Sequence, residues 1–103
     1  MSPPFPLLLL QLSLQRNGWY PLHWAAFRPY LSIANLLLQA GATVDAVANY
    51  GDTALHIAAF NGKIQVVEAL LTAGANKAVK SLFGETALDE AQRYPAIVKL
   101  LRD

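Results

Sequence analysis

Two histidines stand 33 residues apart in nearly the same setting: "GWYPLHWAAF" from Gly18 and "GDTALHIAAF" from Gly51. An imidazole can act as a general base, a metal ligand or a buried hydrogen-bonding part. A catalytic base needs a nucleophile or an orienting acid held close to it. Ser13, Ser32 and Ser81 have neither a glycine elbow nor a histidine in register. A structural zinc site takes about four ligands, whereas His23 and His56 are the only histidines of a chain without cysteine. Gly51, Gly62, Gly74 and Gly84 are isolated, so no phosphate-cradling loop is present. What remains is the structural reading. Neither enzymatic activity, nor a cofactor, nor a metal is expected.

The histidines belong to a longer repeat. Gly18–Ala42 and Gly51–Ala75 are identical at 11 of 25 positions, and "GETALDEAQR" from Gly84 continues the series. Each unit predicts two short helices and a projecting turn. Thr53 is an N-cap for a helix from Ala54 to about Asn61, whose Ala58 and Ala59 let a neighbouring helix come close. Gly62 ends it. A second helix runs from Gln65 to about Ala73, with Val66, Val67, Leu70 and Leu71 facing inward, and Gly74 stops it. The segment 76–84 has no helical pattern and is expected to be the turn or hairpin between units. One such unit cannot bury its apolar face alone, so the pattern implies a stack.

The phrase "TALHIAA…G…VVEALLTAGA" resembles the ankyrin repeat, with its 33-residue period and T-P-L-H-x-A signature. The resemblance covers residues 17–103, with units at about 17–49, 50–82 and 83–103. It implies an all-α solenoid of stacked helix-turn-helix units joined by β-turn or hairpin loops. It also implies that Thr53 and His56, and by register His23 and Thr86, hold the inter-unit turns. The first unit departs from the pattern at Tyr20, which lacks the capping hydroxyl, and at Pro29, where the second unit has Gly62. The third has Asp89 in place of histidine. Its Glu90, Gln92 and Arg93 suggest the polar outer face of a terminal cap.

Members of this family typically bind other proteins through the concave face formed by turn tips and first helices. The resemblance therefore implies an adaptor or scaffold with a protein partner. An alternative is the C-terminal structural part of a longer array, or of a multidomain protein whose site lies elsewhere. The positions that vary across this face include Trp19, Tyr50, Asp52, Phe83 and Glu85 at the turns, and Trp24, Phe27, Arg28, Ile57, Phe60, Asn61, Glu90 and Arg93 on the first helices. Aromatic residues make good interface anchors, which selects Trp19, Trp24, Phe27, Tyr50, Phe60 and Phe83, with Asp52 and Glu85 beside them. Trp24 aligns with Ile57 and equally suits a core position. Phe27 and Phe60 could instead pack on a neighbouring helix. Trp19, Tyr50 and Phe83 adjoin turn glycines, where burial within one unit is harder.

Composition narrows the partner. Only 15% of the 103 residues are charged, 54% are hydrophobic, and the net charge is +1 with no basic stripe, which argues against nucleic acid. No small-molecule substrate is implied, and a monomer is expected. The apolar run Phe5–Leu14 within residues 1–16 is shorter than the ~20 residues a membrane span needs. It also lacks a preceding Lys or Arg and a following small-residue cleavage site, which argues against secretion and for an intracellular, cytoplasmic or nuclear, protein. The simplest expectation is that this segment covers the exposed end of the first unit.

Overall fold

The computed structural model describes residues 18–28 and 30–103. The N-terminal segment 1–16, with its expected covering role, and Pro29 lie outside these residues.

The described chain forms six helices: α1 Pro21–Phe27, α2 Leu31–Gln39, α3 Ala54–Phe60, α4 Ile64–Thr72, α5 Ala87–Glu90 and α6 Pro95–Arg102. They pair as α1–α2, α3–α4 and α5–α6. The first helices stack on one another in the order α1, α3, α5, and the second helices in the order α2, α4, α6. Two helical layers result, with no strand among the described residues. Each link follows from residue size. Ala25, Ala26, Ala58, Ala59, Ala87 and Ala91 are essentially solvent-free, and these small side chains let the inner helices approach closely. Leu22 and Leu55 fill the inner layer, while Val66, Val67, Leu70, Ile97 and Leu101 close the core from the outer one.

Helix ends follow local chemistry. Gly62 has φ +73°, and the N–H groups of Gly62 and Lys63 donate to the carbonyls of Ala59 (3.3 Å) and Ala58 (2.9 Å). This paired closure satisfies the last carbonyls of α3. The Tyr94 ring lies where a Gly62 side chain would project, so glycine is required there twice over. Helices α3 and α4 each end one residue earlier than the pattern predicts. Asn61 and Ala73 act as the C-caps that deliver those glycines.

The loops between units end in tight turns. The Gly51 N–H donates to Ala48 O and the Gly84 N–H to Ser81 O, both at 2.9 Å. Each tip is closed below by Ala48 N–H to Asp52 O and Ser81 N–H to Glu85 O, again at 2.9 Å. The Leu82 N–H donates to Tyr50 O at 2.8 Å and ties successive tips together. A side chain on Gly51 would press on Leu82 N and on the Ser81 backbone.

Candidate functional site

The imidazoles set the turn tips. The Thr53 N–H donates to His56 Nδ1 at 3.1 Å, so the ring proton sits on Nε2, which donates to Glu85 O at 2.9 Å. The Thr53 hydroxyl is 2.9 Å from Nδ1 and accepts the His56 backbone N–H at 3.3 Å. Thr53 and His56 are buried, so the bonds between them lie where losing one is costly. His56 thus caps its own helix with one nitrogen and holds the next unit's turn with the other. His23 repeats the arrangement: it accepts from Tyr20 N–H at 3.1 Å and donates to Asp52 O at 3.0 Å. Burial lowers the His23 pKa below 6.5, and the Asp52 carbonyl opposes the shift only in part. In the third unit Thr86 keeps the cap while Asp89 replaces the imidazole. The Thr86 N–H donates to Asp89 Oδ2 at 2.9 Å, and this bond holds the Asp89 carboxyl below its ordinary pKa. Tyr20 has the extended cap backbone but makes no side-chain cap bond, as its missing aliphatic hydroxyl implies.

With the tips fixed, an apolar cleft of about 330 Å³ opens between them and the first helices. Trp19 and Phe27 line it from the first unit. Tyr50, Asp52, His56, Ile57, Phe60 and Asn61 come from the second, and Ser81, Phe83 and Glu90 from the third. Its aromatic groups differ in character. Trp19 packs edge-on against Trp24 (4.9 Å) and Phe27 (5.3 Å) and is half-buried against the core. Tyr50 and Phe83 stack with ring centroids 6.1 Å apart and are 50% and 73% exposed, while Phe60 is 57% exposed.

Glu90 gives the cleft its one occluded carboxylate. One carboxylate oxygen is shielded from solvent and has no hydrogen-bond partner among the described residues. Burial, reinforced by the negative charges of Glu85, Asp52 and Asp89, pushes its pKa up to about 7.

The structure therefore brings Trp19, Phe27, Tyr50, Asp52, Phe60 and Phe83 to one cleft. Trp24 stands behind Trp19, outside the lining, and the Glu85 side chain is exposed beside it. Two expectations change. Trp19 is not a free turn-tip side chain, because the neighbouring Trp24 and Phe27 rings give it a partly buried seat. Gln92 and Arg93 are exposed as a polar cap requires, whereas Glu90 lines the cleft, as its first-helix position allows, and is not the solvated cap residue also expected. Ser81 was overlooked as a lining residue, since it occupies the register of Ala48 and offers no sequence signal. Among the described residues no three His, Cys, Asp or Glu side chains are grouped to hold a metal, and no helix is long and apolar enough to cross a membrane.

A family model described as ankyrin repeats, three copies, matches the chain over residues 6–81 and again over 44–103. The chain belongs to the ankyrin-repeat family. No curated protein matched it. Ankyrin repeats are in general protein–protein interaction modules. In this ankyrin-repeat chain the Tyr20–His23, Thr53–His56 and Thr86–Asp89 pairs hold the starts of the first helices, beside which the cleft lies.

Proposed function

We propose that the chain is a non-catalytic, intracellular adaptor or scaffold that acts as a monomer and captures a protein partner in the cleft between its turn tips and first helices. One observation carries this reading: Tyr50, Phe60 and Phe83 present large exposed apolar surfaces on one concave face, at positions the scaffold does not need for its core. Half-exposed aromatic groups around a preformed cleft are the kind of anchors that dominate protein interfaces. Both histidines are saturated by hydrogen bonds that hold the turns, so they serve the surface by shaping it. Trp19, Phe27 and Asp52 form the other walls, with Trp24 and Glu85 supporting the rim.

The reading is tested by capture from cell extract with the wild-type chain and with Tyr50→Ala/Phe83→Ala, each checked by circular dichroism. Both chains are expected to show the same helicity, and the double variant to lose its captured protein by at least ~10-fold, as removing two anchor residues implies. Equal capture by both chains would place the partner surface elsewhere.

A further inference from the structure

The cleft's lining has a one-sided charge. Asp52 and Glu90 are its ionisable acids, and no lysine or arginine lines it. The shielded Glu90 oxygen lies among apolar groups without a hydrogen-bond donor from the described residues. The other Glu90 oxygen is not shielded in this way, and through it a donor entering the cleft can pair with the carboxylate. Nearby, Tyr50 and Phe83 offer stacked, half-exposed ring faces, and ring faces attract cations. The molecule already makes one such contact outside the lining: the Arg28 guanidinium lies 5.8 Å from the centroid of Phe27. Arg28 follows the end of α1 and does not line the cleft, whereas Glu90 lines it from α5.

We infer that the cleft takes a basic side chain of the partner, arginine or lysine, with its alkyl stem and charged head between Tyr50, Phe60 and Phe83 and its N–H groups on the Glu90 carboxylate. The inference rests on the cleft being the partner-binding surface and adds the chemistry of what enters it. A neutral apolar side chain would fill the same space but cover the open side of the Glu90 carboxylate without offering it a donor. An acidic one would meet Asp52 and Glu90 from within, and Glu85 and Asp89 from beside them. Arginine supplies several donors in a planar fork that also stacks on rings, so it is the better fit of the two cations.

A pH dependence follows. The groups facing Glu90 are Asp52 and Glu85 from the turns, Asp89 on its own helix, and His56 and Tyr50 across the cleft. A cation favours the ionised carboxylate, so binding should tighten as pH rises through about 7, the value to which Glu90 is raised.

The test is a nuclear magnetic resonance titration of the full chain with N-acetyl-arginine methylamide and its lysine counterpart. The isosteric but uncharged citrulline derivative and the norleucine derivative serve as controls. The two cations should shift the resonances of Tyr50, Phe60, Phe83 and Glu90, with arginine binding at least ~10-fold tighter than citrulline, a factor of the size a charge-assisted hydrogen bond supplies. Arginine should also bind more tightly at pH 8 than at pH 5.5. Glu90→Gln should abolish that pH dependence and most of the preference for arginine over citrulline. Phe83→Leu, at a largely exposed position, should weaken the cations while sparing norleucine. Equal binding of norleucine and arginine at these resonances would overturn the inference while leaving the cleft a protein-binding surface. No shift at them with any probe would overturn it too, and the capture experiment with Tyr50→Ala/Phe83→Ala decides separately whether the surface reading stands.

Discussion

At the scale of single residues, Glu90 and His23 pull stability in opposite directions with pH. The Glu90 pKa is raised from 4.5 to about 7 on folding, so the folded chain binds the extra proton. Its contribution is fully present below about pH 4.5 and is lost as pH rises through about 7. The His23 pKa is lowered from 6.5, so its contribution is present above that value and fades as pH falls below it. Glu90→Gln should therefore stabilise the chain at pH 8 by roughly 1 kcal/mol, a figure already reduced for the partial solvent screening of the carboxylate. In that variant the His23 slope should remain, so stability should fall from pH 7 to pH 5, with the lowered Asp89 pKa adding to the fall only in more acid solution. Urea melts at three pH values read both effects; an unchanged pH profile in Glu90→Gln would contradict the account. The role of His56 was legible from sequence because Thr53, three residues earlier, and the 33-residue period pointed to it. The place of Glu90 on the first-helix face was legible too, but its occlusion was not, because a polar residue in a terminal unit reads as a solvated cap. It shares its cleft with residues from all three units, which no local pattern shows.

At the scale of elements, caps and glycines decide where each helix starts and stops. Thr53 caps α3 and also contacts the imidazole that crosses to the next unit. Thr53→Ala should cost about 1–2 kcal/mol, the upper part of the usual range for a lost N-cap. Tyr20 holds the same place in α1 without a cap bond, so Tyr20→Thr should cost nothing and gain up to ~1 kcal/mol. Gly62→Ala should destabilise by more than ~1 kcal/mol, since both the positive φ and the Tyr94 ring oppose a side chain. Thermal melts of the three variants check these signs, and a stabilising Gly62→Ala would refute the described end of α3. Helix type and order were readable from the spacing of Ala58, Ala59, Val66, Val67 and Leu70. The seat of Trp19 was not, because it depends on the Trp24 and Phe27 rings being turned towards it by α1. Adjacency in sequence to Gly18 suggested the opposite.

At the scale of the whole molecule, the stack converts a repeated phrase into a single concave surface. Equivalent positions 50 and 83 become a stacked ring pair because successive tips are tied by the Leu82 N–H to Tyr50 O bond. Residues 33 apart that do nothing alone thereby make one cleft with walls from three units. The outer layer offers a built-in comparison: Leu36 on α2 is 64% exposed, so exposed apolar side chains are not confined to the cleft. The most direct test of the central claim replaces Phe83 or Leu36, in separate full-length chains, with a photo-crosslinking phenylalanine analogue and irradiates each in cells. The account predicts a discrete protein adduct from position 83 that is lost when Tyr50→Ala is added, and none above background from position 36. A strong adduct from position 36 with none from position 83 would contradict it.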